Sequence, residues 1–253
     1  MKRKLVAALA CRSGGTRLYG KPLQNLEPGK MILDHILEGV YKAPEIDSAV
    51  LGISEGVENT IFVNVAHRHQ TPYIFGNEKD VLWRLILCGR AARATDVFRV
   101  TTECPFIAWE LLEEAWQRHC LENNDITVTD FLPEGMNFEI YSMQALERIH
   151  REGDDSERSE FCSAYPRRCS EKFKIGLLPA PEQWNRMDLR LTVDYPEDLI
   201  LCRDIYCDLK GLAPHIPVDD IMTWLSEHDT HKLVEPYVVS EPLWAHILKD
   251  KES

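Results

Sequence analysis

The chain has 253 residues, enough for one large domain with a full core, and a formal net charge of -12 with a pI near 5.2. That acidity argues against a nucleic-acid or anionic-membrane surface, because both are bound through clustered Lys and Arg. Only the six-residue apolar run Leu5–Ala10 and Cys11 separate Met1–Lys4 from Arg12, no stretch approaches a membrane span, and the eight cysteines form no C-x-x-C pair, so a cytoplasmic protein with reduced, packed thiols is expected.

The run Leu5–Ala10 predicts a buried strand, and it empties into Cys11-Arg12-Ser13-Gly14-Gly15-Thr16-Arg17-Leu18-Tyr19-Gly20-Lys21-Pro22-Leu23. Adjacent Gly14 and Gly15 let the backbone turn its N–H groups inward, while Arg12, Arg17 and Lys21 bring three positive charges to one short loop, which suits a polyphosphate. The spacing fits neither the P-loop nor the dinucleotide fingerprint. A polar turn with solvated charges is the competing reading, and three cations beside one strand end favour a binding loop.

Helical spacing continues over Met31–Tyr41, a short buried strand over Ala49–Ser54, a helix over Glu58–Arg68 and a strand over Pro72–Phe75. A helix over Val81–Ala94 and a strand over Val97–Val100 repeat the alternation. Sequential βα units predict a mostly parallel sheet with helices on both faces, whose ligands bind outside the carboxyl ends of the strands. That rule selects Arg12–Lys21, Ser54-Glu55, Gly76–Asp80 and Thr101–Pro105. A later predicted strand, Leu189–Val193, adds Asp194–Asp198, with Pro196 suited to a helix start. Ile126–Thr129 and Asn137–Tyr141 read as strands and Arg151–Arg158 as a polar loop into another helix. Residues 125–180 are therefore taken as a small β/α section for acceptor binding or dimerisation, inserted in a single domain spanning 1–253, with a solvated connector as the alternative for Glu152–Asp155. The tail from Glu235, with Trp244 and Ile247, reads as an amphipathic end that packs on the body or on a second subunit.

Glu103 and Asp194 each follow a predicted strand and can converge on one edge of the sheet. Mg²⁺ takes hard oxygen ligands, commonly one or two carboxylates with phosphate and water completing the shell. Helix capping is the alternative for Asp194, which precedes Pro196.

The residues also carry a family resemblance. Arg12-x-x-x-Thr16-Arg17-Leu18-x-Gly20-Lys21-Pro22-Leu23 resembles the R-x-G-S-x-R-L-P-G-K-x-L signature that opens the CMP-sugar-acid synthetases, and more closely the SpsF-like spore-coat-polysaccharide cytidylyltransferases. The resemblance implies that Arg12, Ser13, Gly14, Gly15, Thr16, Arg17 and Lys21 wrap the triphosphate of CTP. Gly15 replaces the usual Ser and Tyr19 the usual Pro, which leaves Ser13 or Thr16 for a hydroxyl contact. Val100–Ile107 is similar to V-T-G-D-C-P-x-I and Thr192–Leu199 to T-V-D-T-P-E-D-L, whose Asp residues bind Mg²⁺ in related synthetases, so Glu103 and Asp194 are the implied metal ligands. Glu103 stands for the first Asp and Thr102 for the Gly.

Gly76-x-Glu78-x-Asp80-Val81-Leu82-x-Arg84 resembles the G-x-E-x-D-V-L-x-R stretch near the base and ribose, which makes Asn77 and Asp80 nucleotide contacts together with Glu103. On the residues alone, Asp80 is a helix cap and Arg84 a surface residue. Gly135–Leu146 and Glu157–Ser163 resemble G-x-D-x-E-V-F-S-x-x-A-L and E-R-E-H-V-T, pointing to Asn137, Glu139 and Glu160 as acceptor contacts, with Phe161 where the family has His.

The expectation is a Mg²⁺-dependent nucleotidyltransferase on a Rossmann-like, three-layer α/β/α fold, using CTP to make a CMP-linked sugar acid and releasing pyrophosphate. Arg12, Lys21 and Asp194 are the expected catalytic residues. Two other readings stay open: a sugar-phosphate or polyol-phosphate acceptor, and an inactive nucleotide-binding or scaffold protein, suggested by Glu103, Gly15 and Phe161 at altered motif positions. The expected partners are CTP and a small-molecule acceptor, with no nucleic acid or membrane, and a homodimer is the default.

Overall fold

Strand β1 (Leu5–Cys11) is apolar along its whole length because both of its faces are covered. Leu5, Ala7, Leu9 and Cys11 enter one core, while Val6 and Ala8 enter another on the opposite side of the sheet. The computed structural model describes residues 2–159, 162–238 and 242–244. A small hairpin, β2 (Asn25–Glu27) and β3 (Lys30–Met31), follows the first loop. The remaining strands are β4 (Ser48–Ser54), β5 (Tyr73–Gly76), β6 (Asp96–Arg99), β7 (Ile126–Asp130), β8 (Glu139–Ser142) and β9 (Ile175–Pro179). They join β1 in a seven-stranded sheet of order β5-β4-β1-β6-β8-β7-β9. Strand β8 runs antiparallel to β6 and β7, and the other pairings are parallel. Residues 126–179 thus supply three strands of this same sheet.

Helices α1 (Ile32–Lys42), α2 (Ile61–Arg68), α4 (Leu112–Glu122), α7 (Pro196–Leu209) and α8 (Val218–Glu227) bury their apolar stripes in the first core. Helices α3 (Val81–Ala91), α5 (Met143–Glu152) and α6 (Ala164–Arg168) cover the other face, completing the three-layer α/β/α architecture. Among the described residues, no helix is long and apolar enough to cross a membrane.

Several expectations change in detail. The helix expected to reach Ala94 stops at Ala91, and Arg93 takes a left-handed φ of 55°. The one expected from Glu58 opens as a 3-10 turn, Val57–Asn59, before α2. Leu189–Val193 is not a strand of the sheet. Its backbone bonds go to loops instead: Glu134 N–H donates to Leu189 O at 3.1 Å, Leu191 N–H to Glu134 O at 2.7 Å and Val193 N–H to Glu103 O at 3.1 Å. The segment is a strap with a single bridge, Glu134 to Arg190. Gly135 makes that approach possible, because a Cβ there would lie 2.6 Å from Thr192 N. Helices α4 and α5 and strand β9 have no counterpart among the predicted elements.

Candidate active site

From β1 the chain winds outward to β4 and β5, then returns to place β6 on the other side of β1. The carboxyl ends of β1 and β6 therefore flank a topological switch point, where open α/β sheets form their ligand crevice. A cleft of about 680 Å³ opens there, bordered by Arg17, Lys21, Glu103, Asn137, Glu139 and Asp194. A narrower slot beside it is lined by Arg12, Gly14, Lys21, Arg84, Thr102 and Glu103.

The loop after β1 is anchored at Ser13. Its N–H donates to Asn59 Oδ1 at 2.7 Å, its hydroxyl donates to Glu58 O at 3.0 Å, and its carbonyl accepts from Gly20 N–H at 2.7 Å. The Ser13 hydroxyl is thus engaged within the protein, and Thr16, which is exposed, is the hydroxyl at the loop surface. Gly15 is fixed by its surroundings, since a Cβ there would sit 2.3 Å from Leu18 O. The Ser usual at that position in the resembling signature does not fit this loop conformation.

Asp194 is the meeting point of the cations. Its Oδ1 pairs with Lys21 Nζ and lies 3.7 Å from Arg17 Nη2, while its Oδ2 pairs with Arg190 Nη2. Burial alone would raise its pKa, but Lys21, Arg190 and Arg17 hold the carboxyl below the usual range. It is not the helix cap. Asp198 fills that role, its Oδ2 accepting from Asp194 N–H and Tyr195 N–H at 2.8 Å each, with Pro196 in the first turn of α7. The Asp194 carboxylate is thereby left to face the cleft. Glu103 shares the cleft, and its carboxyl is pushed up by burial, with Lys21 opposing that shift and Asp194 adding to it.

The remaining predicted residues divide. Asn77 Oδ1 accepts from Lys79 N–H at 2.8 Å and Asp80 N–H at 3.2 Å, an Asx turn on an exposed loop. Asp80 caps α3 by accepting from Trp83 N–H at 2.8 Å and also contacts His150 Nε2 at 2.8 Å. Arg84, expected on the surface, is only 1% exposed. It donates to Cys11 O at 3.1 Å, Gly52 O at 2.9 Å and Glu78 O at 3.3 Å, tying β1, β4 and the loop after β5 together. Asn137 lines the cleft with a buried Oδ1 that has no partner among the described residues. Glu139 accepts from Arg99 at 2.6 Å and from the Tyr141 hydroxyl at 2.8 Å. Glu160 and Phe161 lie outside the described residues.

Two features were missed in the sequence. Arg190 is the one charge inside the alternating run Leu189–Val193, the one signal that could have marked it as facing a polar cleft. Pro236, Tyr237 and Leu243 border the cleft from the far end of the chain. Tyr237 stacks on Tyr195 with ring centroids 4.0 Å apart, and the buried Trp244 donates its N–H to Asp130 Oδ2 at 2.7 Å. The described residues of this end, 235–238 and 242–244, therefore pack on the body, one of the two expected placements, and Ile247 lies outside the described residues.

A family model described as Cytidylyltransferase matches residues 6–222. The spore coat polysaccharide biosynthesis protein SpsF of Bacillus subtilis is 25% identical over 224 residues, covering 87% of this chain and 93% of the relative. Among solved structures, a cytidylyltransferase from Leptospira borgpetersenii superposes with a TM-score of 0.81 at 19% identity, covering 94% of this chain and 99% of that one. A CMP:2-keto-3-deoxy-manno-octonic acid synthetase complexed with CTP gives 0.63 at 13% identity, covering 81% and 99%.

Proposed function

This chain belongs to the cytidylyltransferase family and is a nucleotidyltransferase, and from that premise we propose that it transfers CMP from CTP to a sugar acid, with Mg²⁺, releasing pyrophosphate. One observation carries the reading: the Arg12–Lys21 loop, Glu103 and Asp194 meet at the switch-point cleft from three distant parts of the sequence.

The acceptor hydroxyl attacks the α-phosphorus in line, and this chemistry asks for positioning and charge neutralisation rather than a protein nucleophile. Arg12, Arg17 and Lys21 hold the β- and γ-phosphates, and Lys21 follows the charge that develops on the departing pyrophosphate. Lys21 and Arg17 already sit on Asp194, so an arriving triphosphate competes with that carboxylate for them. Glu103 and Asp194 offer the hard oxygens that Mg²⁺ prefers, and among the described residues no group of three or more His, Cys, Asp and Glu side chains forms a complete cage. Nucleotide phosphates would complete the shell, and the ion would supply charge neutralisation at the α-phosphate and the acceptor oxygen. Asn137, whose Oδ1 is unpartnered among the described residues, and Glu139 border the part of the cleft where the acceptor would lie, next to the wall from Tyr237 and Leu243.

The test is pyrophosphate release from each of the four NTPs with Mg²⁺ across sugar acids and sugar phosphates, with Asp194→Ala as the control. Release with CTP and a sugar acid, lost in the control, is the expected result. A nucleoside-diphosphate product would move the acceptor to the phosphate class. CTP binding without release on any acceptor would favour the binding-only alternative.

A further inference from the structure

Arg190 borders the cleft with only 4% of its side chain exposed, yet the reaction proposed above gives it no contact with nucleotide or acceptor. Its guanidinium reaches three carboxylates at once. Nη1 pairs with Glu134, Nε with Asp198 Oδ1 at 3.0 Å, and Nη2 with Asp194 Oδ2. Asp198 is itself fixed, because its other oxygen caps α7 through two backbone N–H groups.

The two oxygens of Asp194 consequently face different partners. Oδ2 is held by Arg190, and Oδ1 points to Lys21 and Arg17, the cations of the phosphate loop. A planar guanidinium donates in several fixed directions, so with Nε on Asp198 and Nη1 on Glu134 the position of Nη2 against Asp194 Oδ2 is set in a way that an ammonium cannot reproduce. Resting on the metal reading above, we infer that Arg190 is a positioning residue: it carries the rigidity of the α7 cap to Asp194 and presents Oδ1 to the nucleotide and its cation. The partners that orient metal ligands commonly change metal affinity by roughly 10–100-fold when removed.

The competing account makes Arg190 simple glue between the strap and the loop at Glu134. The two accounts separate by calorimetric titration of the full chain with CTP, with and without Mn²⁺ as the probe for Mg²⁺. Arg190→Lys keeps the charge and loses the fork. Its CTP affinity without metal stays within about twofold of the parent, whereas the tightening produced by Mn²⁺ shrinks about tenfold. Glu134→Gln cuts the other arm of the same guanidinium and leaves both values near the parent. Full Mn²⁺ tightening in Arg190→Lys, or an equal loss in Glu134→Gln, overturns the inference in favour of glue. Where circular dichroism shows that Arg190→Lys has not folded, Arg190→Gln in the Glu134→Gln background removes one charge of each sign and carries the same expectation. A parent chain whose CTP affinity ignores Mn²⁺ overturns the metal reading itself, whereas a responsive parent with an equally responsive Arg190→Lys overturns this inference alone.

Discussion

Replacing Asp198 by Ala removes the group that closes α7 and braces Arg190. Asp198 is fully buried, and one of its oxygens accepts from the N–H groups of Asp194 and Tyr195 while the other accepts from Arg190 Nε at 3.0 Å. Loss of a helix cap costs about 1 kcal/mol. Breaking a buried ion pair costs roughly 3–5 kcal/mol when one charge is left alone, but Arg190 keeps Glu134 and Asp194, so about 2 kcal/mol is the fitting share. The sum of about 3 kcal/mol lowers the melting temperature by roughly 6–12 °C in a domain of this size. Asp198→Asn, which retains an acceptor for the backbone N–H groups, should lose about half as much. Calorimetric melts of the two variants beside the parent measure both numbers. An Asp198→Ala protein melting within about 2 °C of the parent would refute the view that this carboxylate organises the strap.

Asp96, buried with His119 and paired with the partly exposed Arg3, has burial pushing its pKa up, and His119, Arg3 and Thr95 override that to bring it to about 2. A depressed carboxyl adds stability that is complete above its unfolded pKa and disappears as pH falls through the folded value, so roughly 2 kcal/mol is present above about pH 4 and lost toward pH 2. The urea-midpoint gap between parent and Asp96→Asn should accordingly close between about pH 5 and pH 2, and an unchanged gap would contradict the assignment. Gly135→Ala forces a side chain into a φ of 97° and against Thr192 N. It should destabilise by about 2–3 kcal/mol in urea melts and weaken Mg²⁺-dependent CTP binding, because the displaced backbone carries Asp194. Iodoacetamide at mildly alkaline pH should label exposed Cys207 first, then Cys120 and Cys169. Cys11 and Cys104, which burial pushes up to about 12, should react only after denaturation, and early labelling of either by peptide mass spectrometry would count against this packing.

Where residues act locally, the chain was readable. Leu5–Cys11 is apolar at every step because helices cover both faces, and a run like that admits few other readings. The loop that follows it and the acids at 103 and 194 could be placed by the rule that ligands meet strand carboxyl ends. The rule reached Asp194 for a partly mistaken reason. Leu189–Val193 has the alternation of a strand, but its hydrogen bonds run to Glu134 and Glu103, and no local pattern announces a partner more than fifty residues away. Arg84 was misplaced for the same reason, since its three carbonyl acceptors come from separate segments. Strand β9 carries Gly176 and Pro179, residue types that interrupt a strand pattern. A Cβ at Gly176 would lie 2.3 Å from Asn124 Nδ2, so a larger residue there would have to displace that buried amide.

The wall formed by Pro236, Tyr237 and Leu243 lies after residue 222, where the match to the family model ends. It is also the last part of the cleft to leave the ribosome. The Arg12–Lys21 loop is synthesised long before Tyr237, so the cleft that both border gains this wall only once Tyr237 can stack on Tyr195.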